Sequence, residues 1–128
     1  MSRTQQDVEA YLSRLERNFE MLEDGTFLVS TGSSAPPIVI RLAPPVAVLR
    51  VDIGRLPNGA EAEARVYKRL LELNARDLIH ASYGIAGDVI ELSAALELDN
   101  LDLNELEAVL ADIDLALATH VSEIRSLF

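Results

Sequence analysis

The sequence predicts an α+β fold, a single-domain α-β-β-β-α-β-β-α sandwich in which helices pack on an antiparallel sheet. Amphipathic helical patterns occur at the beginning, in the middle and at the end of the chain. Between them lie short runs of alternating apolar and polar residues, separated by turn sequences. Runs of strands between helices are typical of α+β proteins, because strands that follow one another closely pair in an antiparallel sheet. We expect residues 1–128 to form one domain.

The first helix is predicted over residues 5–22. Thr4 followed by Asp7 resembles a capping box, which marks a helix N-terminus. Apolar residues then recur at helical spacing, namely Val8, Tyr11, Leu12, Leu15, Phe19 and Leu22. Asp24-Gly25 ends the pattern.

Three strands are predicted next, at residues 26–30, 38–42 and 46–53. A turn at residues 31–34 separates the first two strands. Pro36-Pro37 precedes the second strand and Pro44-Pro45 precedes the third. Because proline has no N–H to donate, the strand between these pairs is a poor edge for the addition of another strand. In the third strand one face is apolar, with Ala47, Leu49, Val51 and Ile53.

The second half of the chain predicts a helix over residues 60–74, a hairpin over residues 79–98 and a last helix that begins at Asp102. Asp102 and Glu105 have the spacing of a second capping box. The last helix has an apolar face made of Leu106, Val109, Leu110, Ile113, Leu117, Val121 and Ile124.

The second helix has two apolar tracks, one with Val66, Leu70 and Leu73 and the other with Tyr67 and Leu71. A helix that is exposed to solvent on only one narrow side usually packs against two surfaces, its own sheet and a second element. Two interpretations therefore stay open: the helix is covered within its own chain, or Tyr67 and Leu71 form a homodimer interface.

Charge is distributed very unevenly along the chain. The formal net charge is -10, and no Lys or Arg occurs between Arg76 and Arg125, where eleven carboxylates lie. Such a field repels nucleic acid and anionic membranes, so neither is an expected partner. No apolar run approaches the roughly 20 residues of a membrane span. Without a signal-peptide pattern and without cysteine, a cytoplasmic location is expected.

The sequence indicates no catalytic, cofactor or metal site. His80 and His120 have no partner at ligand spacing, so we expect both at the surface or at its boundary. The segment at residues 99–104 lacks the glycine and the terminal glutamate of a calcium loop. Asp112 and Asp114 are expected to be solvated. The second helix carries four cations, which either face solvent or meet the anionic half of a second copy, namely Arg65, Lys68, Arg69 and Arg76.

Three segments resemble one family in order and in sequence. They are the run Leu70-Leu71-Glu72-Leu73-Asn74, the hairpin from Tyr83-Gly84-Ile85 to Ile90-Glu91-Leu92, and Leu98-Asp99-Asn100-Leu101-Asp102 leading to Glu105-Leu106. The chain is similar in them to the type III secretion chaperone-like superfamily, which includes the Tir chaperone (CesT-like) class and YbjN-like proteins. The resemblance implies a small acidic cytoplasmic homodimer without catalytic residues. In the secretion chaperones, an extended effector segment wraps around apolar patches and adds strands to the sheet.

We therefore predict a non-enzymatic protein-binding module, a dimeric chaperone-like or adaptor protein without cofactor that holds a partner polypeptide. The candidate partner-binding residues are Tyr11, Leu15, Phe19, Phe27 and Val29, each of which is equally suited to the core. One alternative is a YbjN-like regulatory protein that holds no unfolded client. Another is a small-ligand-binding domain or enzyme.

Overall fold

The computed structural model describes residues 1–31 and 36–128, so the turn predicted at residues 31–34 lies, apart from Thr31, outside the described residues. Within them the chain forms three helices and a six-stranded antiparallel sheet. The elements in chain order are α1 Gln5–Arg14, β1 Phe19–Met21, β2 Phe27–Val29, β3 Ile38–Ala43, β4 Val46–Arg55, α2 Ala60–Arg76, β5 Ser82–Ala86, β6 Val89–Glu97 and α3 Leu103–Ser126. The α+β class and the predicted order of elements are confirmed, with one short strand, β1, added.

The predicted boundary of the first helix is wrong, because α1 ends eight residues earlier than residue 22. Leu15 caps the helix, and Glu16 adopts a left-handed conformation with φ of 58°, which turns the chain away from the helix axis. Phe19 then packs edge-on against Phe27, with ring centroids 5.9 Å apart. The spacing of Phe19 and Met21 suits a strand as well as a helix, and pairing with β2 decides between the two.

Both predicted capping boxes are present. The Thr4 hydroxyl accepts the Asp7 N–H, and the Asp7 carboxylate accepts the Thr4 N–H. Asp102 and Glu105 make the same reciprocal pair at the start of α3. Two orphan N–H groups of each helix are satisfied in this way, which fixes where α1 and α3 begin.

The sheet has the strand order β1-β2-β3-β4-β6-β5, so β1 and β5 are its two edges. Its register aligns Phe27, Ile40, Leu49 and Ala94 across four strands, and all four side chains are buried. All three helices contribute residues to the same core cluster as this face, so they cover one side of the sheet. The strand that lies between the two proline pairs, β3, is an interior strand and not an edge.

The apolar pattern of the long elements is confirmed residue by residue. Val66, Leu70 and Leu73 of α2 are buried, and so is the predicted apolar face of β4. The whole predicted apolar face of α3 is buried as well. A smaller cluster of Ala47, Leu98 and Leu101 closes the core where β4 begins and β6 ends.

Candidate partner-binding surfaces

The first candidate surface joins α1 to the β1 edge. Tyr11, Leu15 and Phe19 are partly buried and pack against the core with part of each side chain still accessible. The next apolar residues along the chain, Met21 and Leu22, are exposed. These five residues are here called the α1–β1 strip. Phe19 and Met21 lie in the edge strand β1 and Leu22 directly follows it, so a bound segment could use these side chains together with the edge. Tyr11 lies farther along the sheet, because its hydroxyl donates to the Leu101 carbonyl at 3.0 Å.

Phe27 and Val29 cannot belong to such a strip in this conformation. Both are fully buried, because β2 turns them toward the helices, where they face Ile40 and Ile38 of the neighbouring strand. This part of the predicted set is corrected: the two residues are core. Partner binding by Tyr11, Leu15 and Phe19 stays a prediction.

The outer edge of β1 offers unpaired backbone groups. Ser30 N–H donates to the Asn18 carbonyl, and Leu22 N–H donates to the Thr26 carbonyl. In an antiparallel pair the residues alternate between facing the partner strand and facing away, so the N–H and C=O groups of Phe19 and Met21 point outward. Among residues 1–31 and 36–128 none of these outward groups has a hydrogen-bond partner. This edge can accept another strand.

The opposite edge, β5, is occupied by side chains at its beginning, at Ala81 and Tyr83. Asn74 at the end of α2 uses both amide atoms on one residue of β5: its Nδ2 donates to the Tyr83 carbonyl at 3.1 Å, and its Oδ1 accepts the Tyr83 N–H at 2.7 Å. Two residues earlier, the Ala81 N–H donates to the Asp112 carboxylate at 3.0 Å. A side-chain amide thus occupies the place that another strand would take. Asn74 is the last residue of the Leu70–Asn74 motif, but the sequence alone did not predict this contact with β5.

The second apolar track of α2 faces away from the core. Tyr67 is partly accessible, and Leu71 is 68% exposed. Helical spacing puts both on the same side as Asn74, which contacts β5, so this track runs beside the β5 edge. Neither residue is covered within the described chain, which leaves the homodimer interpretation open as a prediction.

The expectation for His120 is wrong, because its side chain is only 5% exposed. Its Nδ1 lies 2.9 Å from the Tyr83 hydroxyl, and its Nε2 lies 3.1 Å from Asp77 Oδ2. A neutral imidazole satisfies both contacts if the hydroxyl donates to Nδ1 and Nε2–H donates to the carboxylate. Burial raises the pKa of the Tyr83 hydroxyl above its usual range, and nearby carboxylates, Glu123 first, raise it further, so the hydroxyl keeps its proton.

Asp112 and Asp114 were expected to be solvated, and both instead make contacts within the chain. Asp112 Oδ2 accepts the N–H groups of Ile79, His80 and Ala81, at 3.4, 2.8 and 3.0 Å. It therefore fastens the loop before β5 to α3. Asp114 forms an ion pair with Arg17, with 2.6 Å between the two side chains. His80 itself is exposed, as expected.

Folding pairs the cations of the first part of the chain with carboxylates of the cation-free segment. Four arginines pair across these parts, namely Arg17 with Asp114, Arg50 with Glu91, Arg55 with Asp88 and Arg69 with Glu123. Arg69 of α2 therefore neither faces solvent alone nor needs a second copy as partner. Exposed pairs of this kind contribute about 0–1 kcal/mol each to stability.

The described residues bring no three His, Asp or Glu side chains together as metal ligands. In the segment at residues 99–104, Asn100 has a positive φ of 61°, and Asp102 caps α3. No helix of the described ranges is long and apolar enough to cross a bilayer.

A broad depression lies on the sheet face opposite the helices. It has a volume of about 890 Å³, and its walls include Val39, Val48, Arg50 and Glu91. Arg50 and Glu91 form an ion pair across it, at 3.2 Å. The volume falls in the range of small-molecule sites, about 300–1,000 Å³, although the depression is open to solvent.

Comparison with known proteins gives one family and one fold. The CesT_Tir_1 family profile matches residues 1–128. A chain of the heterodimeric ExoU–SpcU complex from the type III secretion system of Pseudomonas aeruginosa has a TM-score of 0.68 at 17% identity, covering 94% of this chain and 97% of that one. YbjN of E. coli, described as a candidate transcription regulator, has a TM-score of 0.66 at 11% identity, covering 90% of this chain and 89% of that one.

The Yersinia pestis type III secretion chaperone SycH, solved in complex with a stable fragment of YscM2, has a TM-score of 0.59 at 16% identity, covering 89% of this chain and 99% of that one. No curated protein sequence matches this chain. At such identities the structural likeness shows the fold. Together with the family profile, it confirms the resemblance inferred from the sequence.

Proposed function

Because this chain belongs to the CesT_Tir_1 family, we propose that it is a non-enzymatic protein-binding module that holds an extended segment of another polypeptide. The segment adds a strand to the β1 edge and lays its apolar side chains on the α1–β1 strip. The asymmetry of the sheet is the observation that carries this proposal. The β1 edge has unpaired N–H and C=O groups, whereas Asn74 occupies the β5 edge.

The main chain supplies affinity in this mode, and the side-chain surface supplies selectivity. Phe19 and Met21 each present one donor and one acceptor to an added strand. These hydrogen bonds join neutral backbone groups, so they can form despite the protein's net charge of -10. Two of the structural neighbours are complexes of a secretion-system protein with another polypeptide, which is consistent with this use of the fold.

The proposal includes a homodimer in the cytoplasm. Its interface is formed by Tyr67 and Leu71, the exposed apolar track of α2. Sedimentation of the purified protein tests this. Wild type is expected to be a dimer, and the Leu71→Ser variant is expected to dissociate. A wild-type monomer at about 100 µM, where a dimer with a micromolar dissociation constant is almost fully formed, would refute the proposed interface.

A proline at position 21 tests strand addition. Met21→Pro removes an outward N–H and leaves the β1–β2 bonds in place, because those bonds are made by Asn18, Ser30, Leu22 and Thr26. Met21→Ser is the matched control, since it also loses the apolar side chain but keeps the N–H. Tagged protein is expressed in its native cell, the stoichiometrically bound polypeptide is identified by mass spectrometry, and its purified segment is titrated calorimetrically.

Wild type and Met21→Ser are expected to bind this segment. Met21→Pro is expected to bind it at least about tenfold more weakly, because the loss of one or two hydrogen bonds reduces the binding free energy by about 1.4 kcal/mol. Equal affinity of the proline and serine variants would refute strand addition at this edge. Recovery of a bound small molecule in place of any polypeptide would refute the proposed function.

The alternative is a YbjN-like regulatory protein that holds no client. The likeness to YbjN supports it as much as the secretion-chaperone neighbours support the first function, because both rest on fold. A small-ligand-binding domain would use the open depression around Arg50. The same purification separates them, since a regulator co-purifies with a folded partner and a ligand-binding domain with a small molecule.

A further inference from the structure

A small pocket lies at the far side of the sheet from β1, where the end of α2 and the loop before β5 meet α3. Its volume is about 240 Å³. Its walls include three apolar and three polar side chains, namely Leu78, Leu115, Ala116, Asp77, Asp112 and His120. We call it the Ile79–Leu115 pocket, after Leu115 in its wall and Ile79, which follows the wall residue Leu78 in the chain.

These two side chains are among the most exposed apolar groups of the molecule. Ile79 is 83% exposed, and Leu115 is 62% exposed. Asp112 links the two segments that carry them, because its carboxylate accepts the Ile79 N–H and it lies three residues before Leu115 on α3. Since three N–H groups converge on Asp112, the loop is fixed before anything binds. A preorganised surface of this kind lowers the entropic cost of docking.

The size of the pocket indicates its occupant. Small-molecule sites usually have volumes of about 300–1,000 Å³, and this pocket is smaller. It suits one or two apolar side chains of a larger partner, which would contact Leu78, Ala116 and Leu115 below and Ile79 at the side. Anchors of this type supply most of the binding energy in protein interfaces.

The charge around the pocket restricts what flanks that side chain. Asp77 is half-exposed, and both Asp77 and Asp112 line the pocket. No Lys or Arg occurs from Asp77 to Ile124, and the last cation before this segment is Arg76, at the end of α2. The nearby Arg69 already pairs with Glu123 at 2.7 Å. A partner with Lys or Arg beside its apolar residue meets complementary charge here, whereas an acidic partner is repelled.

We propose that the Ile79–Leu115 pocket binds an apolar side chain of a partner protein that carries lysine or arginine beside that residue. This surface is separate from the β1 edge, which lies at the other end of the strand order. The protein can therefore hold a polypeptide at one edge and engage a basic-apolar segment of a second protein at the other. The proposal stands or falls independently of strand addition.

The test is a titration of the full-length ¹⁵N-labelled protein with two synthetic peptides. The first has leucines flanked by lysines, and the second has the same leucines flanked by glutamates. We expect saturable shifts of the Ile79 and Leu115 amide signals with the lysine peptide, and at least about fivefold weaker binding of the glutamate peptide. Raising the salt from about 50 mM to about 500 mM is expected to weaken the lysine peptide's binding, because the Debye length shortens.

Two variants separate the pocket from general stickiness. Leu115→Ser is expected to weaken the lysine peptide at least about fivefold, since it removes an apolar wall. Ile85→Ser removes an exposed apolar side chain of β5 that does not line the pocket, and it is expected to leave the affinity within about twofold. Both positions are exposed, so both variants fold, and circular dichroism checks this.

Any one of the following results would overturn the proposal: equal binding of the two peptides, shifts centred away from the pocket, or equal affinities of the Leu115→Ser protein and wild type. Shifts of the same amides that appear on concentrating the protein without peptide would show that a second copy is the occupant, which also overturns it. Met21→Pro is expected to leave these shifts unchanged, so failure of strand addition and failure of this pocket are distinguishable.

Discussion

Replacing Asn74 by alanine is expected to destabilise the protein by opening the β5 edge. The Asn74 amide forms two hydrogen bonds with the main chain of Tyr83, at 3.1 and 2.7 Å, and these bonds tie the end of α2 to β5. Alanine keeps the helical backbone and removes both bonds. The Tyr83 N–H and C=O groups then lose their partners at a site that is partly shielded from water.

The magnitude follows from three contributions. Each hydrogen bond is worth about 0.5–1.5 kcal/mol net, so the two together contribute about 1–3 kcal/mol. Partly buried backbone groups that water reaches incompletely add to the loss. Alanine has a higher helix propensity than asparagine, which returns roughly 0.5 kcal/mol. The free energy of unfolding is therefore expected to fall by about 2 kcal/mol.

Urea unfolding followed by circular dichroism measures this change. With an m-value of about 1–3 kcal/mol/M, a loss of about 2 kcal/mol lowers the midpoint by about 1 M. Asn74→Asp keeps the acceptor for the Tyr83 N–H and loses the donor, so its midpoint should lie between those of wild type and the alanine variant. Asn58→Ala, in the exposed loop before α2, is the control and should change stability by less than about 0.5 kcal/mol. If Asn74→Ala unfolds at the wild-type midpoint, the side-chain amide does not close this edge.

Three further predictions concern other side chains that the fold places in specific contacts. Asp112→Asn is expected to cost about 1–3 kcal/mol and to speed hydrogen exchange of the three loop amides before β5, because a neutral oxygen replaces a carboxylate acceptor. His120→Leu and Tyr83→Phe are each expected to destabilise, and a double-mutant cycle should give a coupling of about 0.5–3 kcal/mol, since either change leaves the other polar group unpaired. Thr4→Val is expected to raise the pKa of Asp7, which hydrogen bonds from the Thr4 N–H and then the Thr4 hydroxyl hold below its usual value. A lowered pKa in the folded state stabilises the protein above the unfolded-state pKa, and this stabilisation is lost as the pH falls through the folded-state pKa. The difference in stability between the variant and wild type should therefore narrow in acid, which NMR titration and acid unfolding can measure.

The long elements could be predicted from the sequence because their apolar period is unambiguous. Val66, Leu70 and Leu73 repeat at helical spacing over about two turns of α2, and all three are buried. The short β1 could not be predicted in the same way. The residues from Phe19 to Leu22 fit both a helix and a strand, and only the contact with Phe27, which is distant until the chain folds, selects the strand.

The side-chain contacts of the candidate surfaces were less accessible to prediction. His120 was predicted at the surface, although it lies seven residues after Ile113 and four before Ile124 on the apolar face of α3. Its residue type led to this expectation, because a buried histidine needs partners and these come from Asp77 and Tyr83, about forty residues away. Asn74 had the same difficulty: a polar residue at a helix end usually faces water.

The distribution of carboxylates acquires a different meaning once the chain folds. In the sequence they form a block without cations, which indicates an anionic outer face. In the structure Arg17 and Arg69, from the first part of the chain, pair with Asp114 and Glu123 of that block. Asp112, in turn, binds backbone N–H groups. Ion pairing leaves the net charge unchanged, but it removes individual carboxylates from the set that a partner can contact.

What a partner recognises is therefore decided by the groups that folding leaves free. Along β1 those groups are main-chain donors and acceptors, which bind any extended chain irrespective of its charge. Beside the Ile79–Leu115 pocket they include the half-exposed carboxylate of Asp77 and the exposed apolar side chains of Ile79 and Leu115. The first surface should thus be insensitive to salt and the second sensitive to it. This difference in salt dependence, measured for both surfaces on one protein preparation, distinguishes two separate interfaces from a single nonspecific apolar surface.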